Sequence, residues 1–404
     1  MGSEIELSEV ITNIAAGPFG SNLKVSCFVP SGFPIIDGAN LKGLKVTDNL
    51  TKFVTEEKAR SLSRSIARRG DVVVTISGTL GQISYIPDNS AYEEYLCSQR
   101  QFKVTFDAER VYVPYLVYYF HTREGQSKIL AFANQTGVPA LAQPTKNFKK
   151  IRLNLPPLEE QRKIAKIAEL LTEKIELNAK LNGYLEELFD LNFRQLLERA
   201  DATWNTVSLL DIADYKNGLA MQKFRPVADD PGLPVLKIRE LGQGCCGGDA
   251  ERCRSDIDES VKIHDGDLVF SWSGTLLLDF WAGGNAGLNQ HLFKVTSTAY
   301  PSWFYYGWTK HHLARFIMLA KDRATTMGHI KRSALAESEV IVPSNDELAN
   351  QTQVMQPIVD QIISNKIESR KLAALRNALL PKLMSGEIDV SKVALTQLDS
   401  HSGN

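Results

Sequence analysis

Gly70-Asp71-Val72-Val73-Val74-Thr75-Ile76-Ser77-Gly78-Thr79-Leu80 is written a second time, 196 residues further on, as Gly266-Asp267-Leu268-Val269-Phe270-Ser271-Trp272-Ser273-Gly274-Thr275-Leu276. In both stretches a Gly-Asp turn leads into β-branched and aromatic residues, and Ser-Gly-Thr closes the run. That is the pattern of a short strand between turns. Outward from it the match continues. Gly32-Phe33-Pro34-Ile35-Ile36 pairs with Gly232-Leu233-Pro234-Val235-Leu236 at a separation of 200 residues. Gln99 and Phe102-Lys103-Val104 pair with Gln290 and Phe293-Lys294-Val295 at 191, and Pro114, Tyr118 and Tyr119 match Pro301, Tyr305 and Tyr306 at 187. The shrinking separation reads as small loop deletions in the second copy. A repeat of this length means one architecture built twice.

Each copy runs from a β-rich stretch through a short aromatic helix to a long helix. Strands are expected at 72–76 and 101–106, and again at 268–272 and 292–296, with helices opening at 115–120 and 303–308. The first long helix begins at Pro156-Pro157-Leu158-Glu159-Glu160-Gln161, where proline suits the first turn and glutamates suit the positive end of the dipole. It runs to about Ala200. The second follows Pro343 at Ser344-Asn345-Asp346-Glu347, a capping-box pattern, and Gly386 is a natural stop. Steps of four and three trace an apolar seam through Ile164, Ala168, Leu171, Ile175, Leu185, Phe189 and Leu196, interrupted at Asn178 and Asn182. The second helix carries Ile358, Ile362, Leu372, Leu379 and Leu383, interrupted at Asn365 and Ser369. A buried polar residue in such a seam costs stability but fixes register and mate, so each helix is read as built to pair with a defined partner helix. Roughly forty helical residues span about 60 Å, more than a domain of this size needs. The expected division is a domain over 1–155, a spacer helix over 156–200, a second domain over 201–343, a second spacer helix over 344–386 and a tail over 387–404.

Composition bounds the chemistry. The 404 residues suffice for two cores. No apolar run is long enough to span a membrane, and no basic region followed by an apolar stretch marks a secretory signal, so the chain is expected in the cytoplasm. Five scattered cysteines, Cys27, Cys97, Cys245, Cys246 and Cys253, suit reduced thiols, and no spacing among them suits a metal site. The net charge of −1 does not advertise nucleic acid. A subunit that binds DNA only beside other chains that supply phosphate contacts escapes that objection. No phosphate loop, dinucleotide fingerprint, adenine-methyltransferase Asn-Pro-Pro-Tyr signature or nuclease Asp…Glu-x-Lys spacing is present. Neither Ser77 nor Ser273 has a histidine at repeat-equivalent positions to activate it. His311-His312 is read as facing solvent.

Gly70 through Gly81, then Leu155-Pro156-Pro157-Leu158-Glu159-Glu160-Gln161-Arg162-Lys163-Ile164-Ala165, resemble signatures of the specificity subunits of type I restriction-modification enzymes, and Leu383-Met384-Ser385-Gly386-Glu387-Ile388 resembles that family's ending. The resemblance covers nearly the whole chain. It departs at the second helix, where Pro343-Ser344-Asn345-Asp346-Glu347 replaces the Pro-Pro-Leu pattern, and at Leu276-Leu277-Leu278. It implies an α+β protein in which two mixed α/β target-recognition domains stand in tandem repeat. The two long helices would pair as an antiparallel coiled coil with pseudo-twofold symmetry. It implies a non-catalytic subunit that reads a bipartite, asymmetric site in double-stranded DNA, one half-site per domain. Its partners would be two methyltransferase and two restriction subunits, and S-adenosylmethionine, ATP and Mg would belong to those partners.

Base-edge readout needs Arg or Lys toward guanine and Asn or Gln toward adenine, with other basic groups on phosphates. The first domain offers Lys24, Asn40, Lys42, Arg100, Gln135, Gln143, Lys146 and Asn147, and the second Lys223, Arg225, Lys237, Arg239, Arg323, His329, Lys331 and Arg332. The stretch from Arg323 to Arg332 is the densest cluster. Tyr118-Tyr119-Phe120 and Tyr305-Tyr306 are read as core packing in preference to base stacking, and Gly78 and Gly274 as tight turns. The competing reading is a duplicated protein-binding scaffold with no DNA role. An enzyme with an unfamiliar site is the third, and it lacks an acid or histidine set repeated in both halves.

Overall fold

The computed structural model describes residues 3–134, 138–200, 202–322 and 328–391. The chain forms two compact units, residues 1–172 with 374–404, and residues 173–373. Each long helix therefore belongs partly to each unit.

Strand order is the same in both units. In the first, an antiparallel sheet runs Ile11–Ala16, Gln101–Phe106, Val72–Thr75, Ile83–Tyr85. In the second it runs Asp214–Asn217, Leu292–Thr296, Leu268–Ser271, Leu278–Phe280. The registers correspond as well, Val72 lying opposite Val104 and Leu268 opposite Val295. A second sheet in each unit contains a parallel pair, Ile35 beside Leu96 and Val235 beside Gly287. Each β-rich part closes on its own ends: Ser3–Glu6 pairs antiparallel with Arg152–Leu155, and Asn205–Ser208 with Glu339–Val342.

The repeated Gly-Asp motif has a structural cause. Asp71 accepts from the Arg68 N–H and the Thr105 hydroxyl and faces Lys103 Nζ at 3.4 Å, with both charged side chains nearly excluded from solvent. Asp267 repeats the arrangement with the His264 N–H and with Lys294 at 2.8 Å. The preceding glycines take φ of +84° and +94°, which a side chain disfavours.

The aromatic segments are core, as their spacing suggests. Tyr118, Tyr119 and Phe120 lie on the helix Val113–His121, and Tyr306 on Ser302–Asp322, all buried, with Tyr305 half-buried. In the first copy the helix ends at His121, and Thr122 caps a separate helix, Arg123–Leu130. In the second it continues unbroken for 21 residues.

The long helices are Leu158–Glu198 and Asn345–Ser385. The Ser344 hydroxyl accepts from the Glu347 N–H, half of the expected capping box, while the Glu347 carboxylate accepts from Gln351 instead. Gln161, fully buried, accepts from the Tyr112 N–H and donates to the Arg110 and Pro156 carbonyls, pinning the start of the first long helix to its domain. The helices pack together antiparallel within each unit. In the first unit, Ile164 and Ala168 share a core with Leu380 and Leu383, half-buried Leu379 joins them, and Arg376 donates to Thr172. In the second, Phe189 and Leu196 share a core with Ile358 and Ile362, and Leu185 is half-buried beside them. Leu171, Ile175 and Leu372 are also half-buried. The polar interruptions of the two helices meet. Asn365 Nδ2 donates to Asn182 Oδ1 at 2.8 Å, Asn182 donates to the Ile362 carbonyl, and Asn178 donates to Glu368 at 2.7 Å.

No helix among the described residues is long and apolar enough to cross a membrane.

Candidate nucleic-acid interface

In each unit the Ser-Gly-Thr turn leaves the end of a central strand and is held by the same three backbone bonds. In the first, the Ile76 N–H donates to the Arg100 carbonyl (2.6 Å), Leu141 to Ile76 (2.8 Å) and Gly78 to Pro139 (3.0 Å). In the second, Trp272 donates to His291 (3.3 Å), Ile330 to Trp272 (3.0 Å) and Gly274 to Gly328 (2.9 Å). Three segments distant in sequence thus meet at one edge: the turn, the strand connection before Gln101 or Leu292, and a crossing loop. The turn reading of Gly78 and Gly274 fits their φ of +98° and +63°. A fourth segment approaches closely through Gly17 and Gly218. A Cβ there would lie 1.8 Å from the Ser98 carbonyl oxygen and 2.3 Å from that of Asn289, respectively.

On this shared backbone the side chains differ. Exposed Arg100 occupies the place of His291, and Ile76 that of Trp272. In the first unit a cleft of about 600 Å³ opens between Asp37, Lys52, Ser77, Thr79, Gln82 and Arg100. Burial works against the Asp37 charge, but hydrogen bonds from Lys52 (2.6 Å) and the Ala39 N–H outweigh it, holding the carboxyl below its ordinary value. At the corresponding place in the second unit the pair is reversed, Lys237 facing Glu251 at 2.6 Å. Correspondence rests on the backbone, since Ile35 donates to the Lys52 carbonyl as Val235 does to that of Glu251.

The second unit gathers rings in place of the Arg100 guanidinium. His291 Nδ1 lies 3.0 Å from Ser273 Oγ, the Trp272 ring lies 5.9 Å from His291 and 6.3 Å from exposed His329, and the Trp272 indole donates to Asn217. Ser273 therefore has a histidine partner in this unit alone. The repeat-equivalent position in the other unit is Arg100, so the pair is not duplicated. The other His291 nitrogen meets the Gln290 amide, not a carboxylate that would orient a general base. The pair suits hydrogen-bonded recognition better than nucleophilic chemistry.

The remaining sequence candidates divide by place. Lys24, Lys42, Gln143, Lys146, Lys223, Arg225 and Lys331 are exposed. Gln143 holds a left-handed conformation at the start of Pro144–Lys149, in the crossing-loop region. Asn40 is withdrawn as a base reader. It is buried, its amide donates to the Thr47 and Asn49 carbonyls, and its oxygen accepts from Asp37. Asn147 is half-buried and donates to the Ala142 carbonyl. Arg239 is held by Glu240 and Asp249, and Arg332 donates to the Tyr215 carbonyl. Gln135 and Arg323 lie outside the described residues, with most of the loop that made Arg323 to Arg332 attractive.

Reading by residue type alone missed Trp272, Gln290, His291 and Asn217, and the exposed apolar Phe19, Val25, Val138 and Val227. The usable signal was in the repeat, at positions where chemistry changes while the flanking pattern is kept.

Sequence comparison agrees with the doubled architecture. A family model described as the type I restriction modification DNA specificity domain matches twice, over residues 30–187 and 202–377. The chain is 24% identical over 370 residues to the type I restriction enzyme MjaIX specificity subunit of Methanocaldococcus jannaschii, covering 84% of this chain and 82% of that one. It is 22% identical over 215 residues to the EcoBI specificity subunit of Escherichia coli, covering 51% and 44%. The crystal structure of a type I restriction-modification S subunit from M. genitalium shares the fold, with a TM-score of 0.57 at 14% identity over 97% of both chains. Two matched domains on one repeated topology place the chain in the type I restriction-modification DNA specificity family.

Proposed function

We propose that this chain selects the DNA target of a type I restriction-modification enzyme, each unit reading one half of a bipartite, asymmetric site. The supporting observation is a backbone edge held by the same three hydrogen bonds in both units and furnished with different chemistry: Arg100 in one, Trp272 and His291 in the other. One docking geometry with two side-chain sets is what two different half-sites require. Exposed Val25 and Val138 suit thymine methyl contacts. The long helices, continuing from one unit into the other, set the half-site spacing and carry two methyltransferase subunits, with two restriction subunits joining that core. S-adenosylmethionine, ATP and Mg would be bound and used by those partners, and this chain contributes recognition. The near-neutral charge fits a subunit that binds DNA as part of such a complex in the cytoplasm.

The test is methylation mapping in cells expressing the chain with its cognate methyltransferase. An asymmetric, gapped recognition sequence is expected. Arg100→Ala should relax one half-site at one or two positions, by about 1–3 kcal/mol of discrimination, and His291→Ala the other half-site. Methylation without sequence preference would refute the reading and favour the protein-binding scaffold.

A further inference from the structure

The first long helix carries a second apolar seam that is left exposed among the described residues. Leu177, Leu181, Tyr184, Leu188 and Leu191 follow steps of four, three, four and three, and each is 39–58% exposed. Leu177, Leu181, Tyr184 and Leu188 each precede by one residue a member of the buried seam, Asn178, Asn182, Leu185 and Phe189, which turns the exposed seam about 100° around the helix. Isolated exposed leucines are ordinary. Five at heptad spacing are the signature of a helix expecting another helix. The corresponding places on the second long helix are Ser364, Glu368, Lys371, Leu375 and Ala378, so the seam is not repeated.

The flank of the seam identifies a mate. Glu173, Lys180, Glu187 and Arg194 recur every seven residues on one side, all exposed and alternating in sign. Lys180 lies 6.0 Å over the Tyr184 ring, and none of the four takes part in an ion pair among those found for the described residues. Run antiparallel against itself, this flank matches at every place. With Leu181 layered on Tyr184 and Leu177 on Leu188 of the other copy, Lys180 meets Glu187 and Glu173 meets Arg194, each pair occurring twice by symmetry. A parallel, in-register pairing would put Leu181 on Leu181 and gain no such full set along this single flank.

We infer that this seam is a self-complementary surface on which a second copy of the chain docks antiparallel when no other partner helix covers it. The inference stands on the seam alone and is independent of what the loop edges bind.

Sedimentation velocity of the full chain, purified without partners, tests it. A concentration-dependent monomer–dimer equilibrium is expected. Lys180→Glu should weaken the dimer at least roughly tenfold, and Lys180→Glu with Glu187→Lys should restore it, since the reversed charges still match. Leu188→Glu should abolish it, with an unchanged far-UV spectrum and melting temperature showing that the fold is kept. A chain that stays monomeric at all concentrations overturns the inference, as does a dimer indifferent to both Leu188→Glu and charge reversal. A monomer whose methyltransferase binding is lost on Leu188→Glu also overturns it, assigning the seam to a heterologous helix while leaving the proposed DNA reading intact.

Discussion

Asp71 and Lys103 are about 5% and 8% exposed, while their counterparts Asp267 and Lys294 are 22% and 14% exposed. A buried charge whose mate is removed is left uncompensated, and that costs about 3–5 kcal/mol, less where water can reach it. Asp71→Ala should therefore lower stability by about that much and Asp267→Ala by clearly less, as read from urea unfolding midpoints. His121 behaves differently. Its ring lies 2.8 Å from the Ile83 carbonyl, and burial lowers its pKa below the ordinary 6.5. The unfolded chain then takes up the proton more readily than the folded one, so the contribution of His121 is present above pH 6.5 and is lost as pH falls below it. His311 and His312 shift the same way through burial, so the contrast between variants is what isolates His121. Unfolding free energy should fall less between pH 7.5 and 5.5 in His121→Gln than in the parent.

Among the elements, the helix pair depends on its polar layer. Asn182→Leu would leave the Asn365 amide without its acceptor, a loss of about 1–3 kcal/mol for a buried donor. Replacing Asn182 and Asn365 together with leucine removes the orphan. The double variant should melt at or above the parent temperature while the single one melts below it. Both long helices were legible from sequence because their apolar residues recur at 3.5 on average and their starts carry Pro or Ser with Glu. Which apolar row faces inward was also legible, since matched polar breaks at Asn178 and Asn365 mark the row that has a mate. The break at Thr122 was not, because the Val113–His121 helix and its repeat look alike until the Thr122 cap intervenes. Strand order was illegible too. The parallel pairing of Ile35 with Leu96 joins residues about sixty apart, and neither segment says in its own pattern which neighbour it takes.

At the scale of the whole molecule, the edge proposed to read DNA was visible in outline, but the side chains that the fold gathers there were not. Repeat comparison found the Ser-Gly-Thr turns and the Gln99/Gln290 connections that build it. Selecting polar residues by type then admitted Asn40, whose amide is consumed by its own loop, and passed over Trp272 and His291. Side-chain chemistry tells what a residue can bind, and only the fold tells whether that capacity is free. A spacing role makes a separate prediction: inserting about one helical turn after Asn182 should lengthen the gap between half-sites and leave both half-sites unchanged. Methylation mapping of the insertion variant checks it, and altered half-sites at an unchanged gap would contradict it.

The strand pairs Ser3–Glu6 with Arg152–Leu155 and Asn205–Ser208 with Glu339–Val342 bring the entrance and exit of each β-rich part side by side. A module whose two ends emerge together resembles a cartridge. It can be lifted out and another inserted without re-routing the chain on either side, because the clasp and not the contents defines the join. If each unit reads one half-site as proposed, exchange at those clasps would give new combinations of half-sites with no need to rebuild the helices between them.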